Sequence, residues 1–223
     1  MILELATIVA LARQCAPSVA VETLVSVVHT ESRFNPYAIG VNTKGVAAPH
    51  PIDAASAATA ARSLIARGYN IDLGLGQINS SNLKWLDLSV EDAFDPCRNL
   101  AAAARVLSSN YLSVARSSQS TEAAIAAAMS MYNTGSRSRG FGNGYVGRVY
   151  ASASIVVPAI RAEPTPIFVT PVFAKQPGRD LRVDAVKPVP NADRKWDTSA
   201  GTQTAELMVF GATSSSLKKG KFE

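Results

Sequence analysis

Residues 18–36 of this 223-residue chain read SVAVETLVSVVHTESRFNP, and this stretch decides the fold class. Its apolar residues recur at spacings of three and four, the pattern of one α-helical face: Val21, Leu24, Val25 and Val28. Pro17 and Ser18 suit the start of a helix, and Asn35 ends it because a residue before proline avoids the α region. The stretch therefore predicts an apolar helix over residues 18–32.

Four further helices are predicted downstream, over residues 54–67, 97–115, 121–132 and 145–157. Asp53 and Asp95 are suited to cap the first two of these, and Ser120 introduces the third. Between the helices, residues 71–79 alternate too loosely for a strand to be predicted. The expected fold class is mainly α (α+β), with short irregular or β-like segments between the helices.

The N-terminal residues 1–12 are apolar and allow two interpretations. Ala10-Leu11-Ala12 resembles the cleavage site of a secretory signal, but no basic residue precedes Arg13. The missing basic region favours the first core helix over an atypical or truncated signal. No stretch approaches the ~18 consecutive apolar residues of a membrane-spanning helix, so no transmembrane segment is predicted.

Prolines divide the chain unevenly, because seven of the 12 lie in residues 151–223. Proline fixes φ and removes a backbone donor, so this spacing disfavours long helices and central strands. We therefore expect one domain over residues 1–158 and an extended, flexible, Pro-rich tail over residues 159–223.

Composition argues against several classes of function. The net charge of +5 is mild for 223 residues, whereas binding of nucleic acid needs a concentrated basic patch. The two cysteines and two histidines lack the paired spacings of a zinc site. Residues 142–147 match the G-x-G-x-x-G motif formally, but they follow a helix and a loop rather than a strand. No metal, cofactor or nucleic-acid partner is predicted.

A carboxylate stands at the C-terminal end of the helix over residues 18–32, in Glu31-Ser32-Arg33-Phe34. The negative end of the helix dipole and burial beside Phe34 both act to raise the pKa of Glu31. A general acid that works near neutral pH requires such a raised pKa. Taken alone, however, an exposed glutamate at a helix end is the favoured interpretation, since most carboxylates are surface groups.

Two other clusters carry groups suited to a carbohydrate. In Gly74-Leu75-Gly76-Gln77-Ile78-Asn79, the glycines let a ligand approach the backbone, and Gln77 and Asn79 offer both donors and acceptors. After the helix over 121–132, Tyr132 and Asn133 can stack on a sugar and hydrogen-bond a ring substituent. Taken alone, the first cluster is better explained as a glycine-punctuated turn, and the second is also compatible with a helix C-cap at Gly135.

Together the clusters resemble a known family. Glu-Ser-x-Phe-Asn-Pro, Gly-Leu-Gly-Gln-Ile-Asn, Tyr-Asn-x-Gly and Gly-Tyr-Val-x-x-Val occur in this order, as in the lytic transglycosylase domain of the soluble-lytic-transglycosylase type. Cys15-Ala-Pro and residues 35–40 and 94–100 resemble, more narrowly, the peptidoglycan-cleaving subunit of type IV secretion and conjugation systems. The resemblance covers about residues 1–155.

The resemblance implies a lysozyme-like fold, in which a helical lobe and a small β-containing segment flank a sugar-binding groove. It implies that peptidoglycan glycan strands are the substrate and that the β-1,4 bond between N-acetylmuramic acid and N-acetylglucosamine is cleaved. Glu31 takes the family's catalytic position. It protonates the leaving oxygen and then acts as base on the muramyl C6 hydroxyl, which yields a 1,6-anhydro product.

The same resemblance assigns residues to the substrate. Gln77 and Asn133 are expected to hydrogen-bond the sugar, and three residues are expected around the catalytic subsite: Ser32, Tyr132 and Tyr145. Asn79 joins the expected substrate-binding residues on the strength of its amide.

Two positions need separate mention. Most glycosidases use two carboxylates, whereas this family uses one together with the N-acetyl group of the substrate. Asp72 is the one candidate for a second carboxylate, although an aspartate that caps a turn is the favoured interpretation. Gly76 departs from the family, in which many relatives carry a larger apolar residue.

The resemblance also implies where the protein works and with what. A periplasmic localisation is expected, and with it a disulfide between Cys15 and Cys97. Other type IV secretion subunits are expected as partners, through the tail. Two alternatives remain open: a hydrolytic muramidase, and a peptidoglycan-binding assembly module without activity.

Overall fold

The computed structural model describes residues 1–162, which form helices around one short sheet. Within these residues, helices α1 to α8 span Leu5–Cys15, Val21–Ser32, Ala54–Ala66, Leu83–Leu86, Pro96–Val114, Thr121–Thr134, Arg139–Gly142 and Tyr145–Ala162. Strands β1 to β3 span Ile39–Val41, Ile71–Leu73 and Ile78–Asn79. The mainly α fold class with a small β-containing segment is confirmed. Of the predicted tail, residues 159–223, the part from residue 163 onward lies outside the described residues.

Helix α2 stands at the centre of the larger of two apolar cores. Four of its aliphatic side chains are fully buried: Leu24, Val25, Val27 and Val28. Each buried side chain of this size contributes about 1.5–3 kcal/mol. Helices α1, α5 and α8 pack against α2. This packing fixes the position of the C-terminal end of α2.

Capping side chains set the starts of three helices where the sequence predicts them. Asp53, Asp95 and Ser120 each accept from the backbone N–H three residues later, at 2.8, 2.8 and 3.1 Å. These three starts are confirmed. Helix α2 begins at Val21, three residues later than predicted, and no side chain caps it.

Helix α8 continues through Pro158, beyond the end predicted at residue 157. Proline in a helix interior costs about 3 kcal/mol, but Val156 and Ile160 on either side of it are buried in the larger core. The helix ends at Ala162, past the predicted domain boundary at 158. The division into a domain and a tail stays a prediction. Within residues 1–162, no helix is both long and apolar enough to cross a membrane.

The three strands form an antiparallel sheet, in which Asp72 pairs with Gly40 on one side and with Asn79 on the other. Helix α3 and residues 93–94 pack with the sheet to form the smaller core. No strand was predicted within residues 71–79, which contain β2 and β3, and β1 was not predicted either. Strands of two or three residues are too short for an alternating pattern to be recognised.

The side chain of Asn99 connects α5 to the sheet. Its Nδ2 donates to the carbonyl oxygens of Leu73 and Ala93, at 2.9 and 2.7 Å. Its Oδ1 accepts from the backbone N–H of Gly76 at 2.7 Å. Because this amide is almost completely buried, these bonds fix the turn between β2 and β3 against α5.

Cys15 and Cys97 are joined by a disulfide, with their Cα atoms 5.4 Å apart. The bond connects the last residue of α1 to the first turn of α5.

Reduction of this disulfide is expected to lower the free energy of unfolding by about 2–5 kcal/mol, because the bond constrains the unfolded chain across a sequence separation of 82 residues. A denaturant titration of the wild type with and without reductant measures the effect. The double variant Cys15→Ser, Cys97→Ser is the control and should match the reduced wild type. A wild-type midpoint that does not respond to reductant would contradict the bond.

Candidate active site

A cleft of about 520 Å³ opens between the sheet and the helices α4, α5 and α6. Five residues predicted for the site line it: Glu31, Gln77, Asn79, Tyr132 and Asn133. Its walls carry several asparagines and only a few apolar side chains, so the cleft is suited to a polar ligand.

Glu31 reaches the cleft from the last turn of α2. The chain leaves this helix through Arg33 and Phe34, whose φ angles of 53° and 66° lie in the left-handed region. This turn buries Phe34 directly behind the helix end. The carboxyl group of Glu31 is thereby held half-buried at the cleft.

Burial raises the pKa of Glu31 from 4.5 to about 7. The hydroxyl of Tyr145, which donates to Oε1 at 2.5 Å, acts in the opposite direction, as does the charge of Arg148. The charge of Asp72 adds to the effect of burial. Near neutral pH this carboxyl can therefore both give and accept a proton.

Two tyrosines lie around Glu31. Tyr145 is buried at the start of α8, and burial together with Glu31 raises its pKa well above the ordinary value, so it stays a hydrogen-bond donor. The hydroxyl of Tyr132 donates to the carbonyl oxygen of Gly76 at 2.6 Å. A Cβ at position 76 would lie 3.0 Å from this hydroxyl and 2.8 Å from Cβ of Ala103. Gly76, where many relatives carry a larger apolar residue, thus leaves space that the side chains of Tyr132 and Ala103 occupy.

The amides predicted to bind sugar also have partners within the protein. Gln77, with φ of 49°, donates from Nε2 to the carbonyl oxygens of Ala38 and Gly74. Asn79 donates from Nδ2 to Oδ1 of Asn70 and to Oδ1 of Asp72. Asn133 is exposed and accepts from Nδ2 of Asn143 at 2.9 Å. Their contacts with a substrate stay predictions.

Ser32 and Asp72 differ from their expected surroundings. The hydroxyl of Ser32 is buried and donates to the carbonyl oxygen of Val28 in its own helix, so it lies behind the cleft wall. The interpretation of Asp72 as a turn cap is wrong. Asp72 lies inside β2, lines the cleft and accepts from the amides of Asn42 and Asn79, because the sheet pairing brings distant residues to its carboxylate.

Trp85 lines the cleft but was not predicted. Its side chain is 44% exposed, and the guanidinium carbon of Arg105 lies 5.2 Å from the centre of the ring. The residue stands in the four-residue helix α4, which carries no motif. The sequence offers one signal for a ligand contact here, a single large aromatic residue within a mostly polar segment.

Replacing Tyr145 with Phe is expected to raise the pKa of Glu31 above about 7, because the hydroxyl that favours its ionised form is lost. An NMR titration of the Glu31 side-chain carboxyl measures this shift. Tyr150→Phe, on the exposed side of the same helix, serves as the control and should leave the titration unchanged. A lower or unchanged pKa in Tyr145→Phe would contradict the assigned hydrogen bond.

The chain is similar to known proteins over most of its length. The transglycosylase SLT domain family matches residues 9–152. The chain is 38% identical over 191 residues to the type IV secretion system protein virB1 of Brucella abortus, covering 82% of this chain and 77% of that protein. It is 41% identical over 153 residues to the protein virB1 of Agrobacterium tumefaciens, covering 69% of this chain and 63% of that protein. No solved structure matches the chain. The chain therefore belongs to the transglycosylase SLT family and is a lytic transglycosylase.

Proposed function

We propose that this enzyme cleaves the β-1,4 bond between N-acetylmuramic acid and N-acetylglucosamine in peptidoglycan and leaves 1,6-anhydromuramyl ends. The observation that carries the proposal is the Glu31 carboxyl, whose pKa of about 7 suits proton transfer in both directions. It lies in a polar cleft of about 520 Å³, which can hold part of a glycan strand.

In the proposed reaction, the protonated Glu31 donates to the glycosidic oxygen as the bond to C1 breaks. The resulting carboxylate then accepts the proton of the muramyl C6 hydroxyl while that oxygen attacks C1. The two steps need opposite protonation states of one group, and a pKa near the working pH makes both accessible. The Tyr145 hydroxyl, which donates to Oε1, supports the carboxylate formed between the steps.

We further propose that the enzyme opens the cell wall locally for a type IV secretion or conjugation apparatus. The relatives from Brucella carry the name of type IV secretion system protein virB1, which supports this assignment. Since peptidoglycan is the proposed substrate, the periplasm is the proposed location. Contact with other secretion subunits through residues 159–223 is part of the same proposal.

The variant Glu31→Gln is expected to release muropeptides from purified sacculi at least about 100-fold more slowly than the wild type, because it cannot donate the proton. Glu22→Gln, in the first turn of the same helix, is the matched control and should keep the wild-type rate. A wild-type rate of muropeptide release by Glu31→Gln would show that Glu31 is not the catalytic acid.

Mass spectrometry of the same digests identifies the reaction. The expected wild-type products carry 1,6-anhydromuramyl ends. Reducing muramic acid ends would instead identify a hydrolytic muramidase. Binding to sacculi without release of any muropeptide would identify an assembly module without activity.

Trp85 supports a further part of the proposal, namely that the cleft binds more of the strand than the two sugars at the cleaved bond. An exposed aromatic ring offers an apolar face to which a pyranose can pack. Arg105 lies against the ring, which restricts its orientation before a ligand binds.

Trp85→Ala is expected to raise KM for sacculi by about 10-fold, which corresponds to a loss of ~1.4 kcal/mol of contact, with kcat little changed. Leu112→Ala is a suitable control, because Leu112 is 68% exposed and does not line the cleft. A KM equal to that of Leu112→Ala would exclude Trp85 from substrate binding.

A further inference from the structure

Asp72 faces the cleft from the middle of the sheet. It is the central residue of β2, and Gly40 on β1 lies directly opposite it. A Cβ at position 40 would come within 2.8 Å of Oε1 of Gln77 and 3.6 Å of Oδ2 of Asp72. Glycine at this position therefore leaves room for the side chain of Gln77 beside Asp72.

Side-chain amides hold both oxygens of this carboxylate. Asn42 Nδ2 donates to Oδ2 of Asp72 at 2.9 Å, and Asn79 Nδ2 donates to Oδ1 at 2.8 Å. The orientation of the Asn79 amide is determined, because its Oδ1 accepts from the backbone N–H of Ser81, which can only donate. Asn70 bonds to the side chains of both Asn42 and Asn79 and completes the group.

Burial raises the pKa of Asp72 above its ordinary value, and the two amide bonds, which favour the ionised form, offset part of that rise. Within residues 1–162, the ion pairs Arg62–Glu91 and Arg98–Asp92 involve other carboxylates, so Asp72 has no cationic partner there. A fixed negative charge without a counter-ion in a cleft is suited to a positive charge that arises on the ligand.

The charge of Asp72 also acts on the groups around the catalytic acid. It raises the pKa of Glu31 and that of Tyr132 on α6. The other groups that face Glu31 are Tyr145 and Arg148 of α8, and both lower its pKa. Glu31 is thus exposed to a positive charge from α8 and a negative charge from β2.

We propose that Asp72 is a second catalytic carboxylate, which stabilises the positive charge that develops on the muramyl residue as its glycosidic bond breaks. The inference rests on the proposed function, because it concerns one step of that reaction. Since amides hold both of its oxygens, Asp72 acts through its charge rather than as a nucleophile.

The step balances without any further reactant. The proton of Glu31 passes to the glycosidic oxygen, and the bond between that oxygen and C1 breaks. The carbonyl oxygen of the sugar's own acetamido group bonds to C1, which leaves a positive charge on this group, facing Asp72. The C6 hydroxyl oxygen then attacks C1, the acetamido oxygen departs, and the hydroxyl proton returns to Glu31. Asp72 stays ionised throughout.

The test compares Asp72→Asn with Asn70→Ala, which disturbs the same amide group but keeps the charge. On purified sacculi, Asp72→Asn is expected to lower kcat on the order of 100-fold. The alkaline limb of its pH profile should move to lower pH, because Glu31 loses a neighbour that raises its pKa. Asn70→Ala should leave that limb in place. A loss of kcat no larger than in Asn70→Ala, or an unmoved alkaline limb in Asp72→Asn, would overturn the proposal.

A second variant keeps the test decisive if Asp72→Asn does not fold. Asn42 is exposed, and Asn42→Ala removes one donor from Asp72 without removing the charge. The acid limb of the pH profile is then expected to move to higher pH, because the lost bond lowers the pKa of Asp72. An acid limb in Asn42→Ala at the same pH as in the wild type would contradict the role proposed for the Asp72 carboxylate.

The products keep this inference distinct from the proposed function. Reducing muramic acid ends from the wild type would refute the lytic reaction, while the ratio of rates between wild type and Asp72→Asn would still decide the role of Asp72. If the wild type yields anhydro ends and Asp72→Asn is unimpaired, the proposed lytic reaction stands and the proposed role of Asp72 is wrong.

Discussion

The buried amide of Asn99 is the interaction on which the geometry of the cleft depends. Asn99 belongs to α5, yet its bonds go to Leu73, Ala93 and Gly76, in the part of the chain that forms the sheet wall. Each backbone group left unpaired in a buried position costs about 1–3 kcal/mol. The close approach also requires glycine at position 74, where φ is +72° and a Cβ would lie 2.3 Å from the carbonyl oxygen of Ala93.

The turn between β2 and β3 positions two side chains of the cleft, those of Gln77 and Tyr132. Gln77 directly follows this turn and lines the cleft. The carbonyl oxygen of Gly76 accepts a hydrogen bond from the hydroxyl of Tyr132 on α6. Glu31 reaches the cleft independently, from helix α2, whose central side chains are buried in the larger core. The cleft therefore joins the Glu31 carboxyl, which the larger core supports, to a sheet wall that one side chain attaches to α5. A small domain can position polar groups in this way without a large sheet.

Local signals in the sequence were sufficient for the long helices and for the position of Glu31 at the C-terminal end of α2. Caps such as Asp53 and Asp95 act on backbone groups three residues away, so their effect can be read from neighbouring letters. Asp72 and Trp85 could not be assigned in this way. The surroundings of Asp72 come from β1, β2 and β3 together, and those of Trp85 depend on the packing of α4 beside α5. The start of α2 was misplaced because no capping side chain marks it.

The raised pKa of Glu31 affects the whole molecule as well as the site. The carboxyl has an ordinary pKa of 4.5 and one of about 7 in the folded protein, so folding takes up a proton between these pH values. The stability contributed by this group is fully present below pH 4.5 and is lost as the pH rises through about 7, on the order of 3 kcal/mol in all. The apolar packing of α2 has to offset that loss. A rise in pH therefore deprotonates the Glu31 carboxyl and lowers the stability of the fold at the same time, so this one side chain couples the protonation state of the cleft to the stability of the domain.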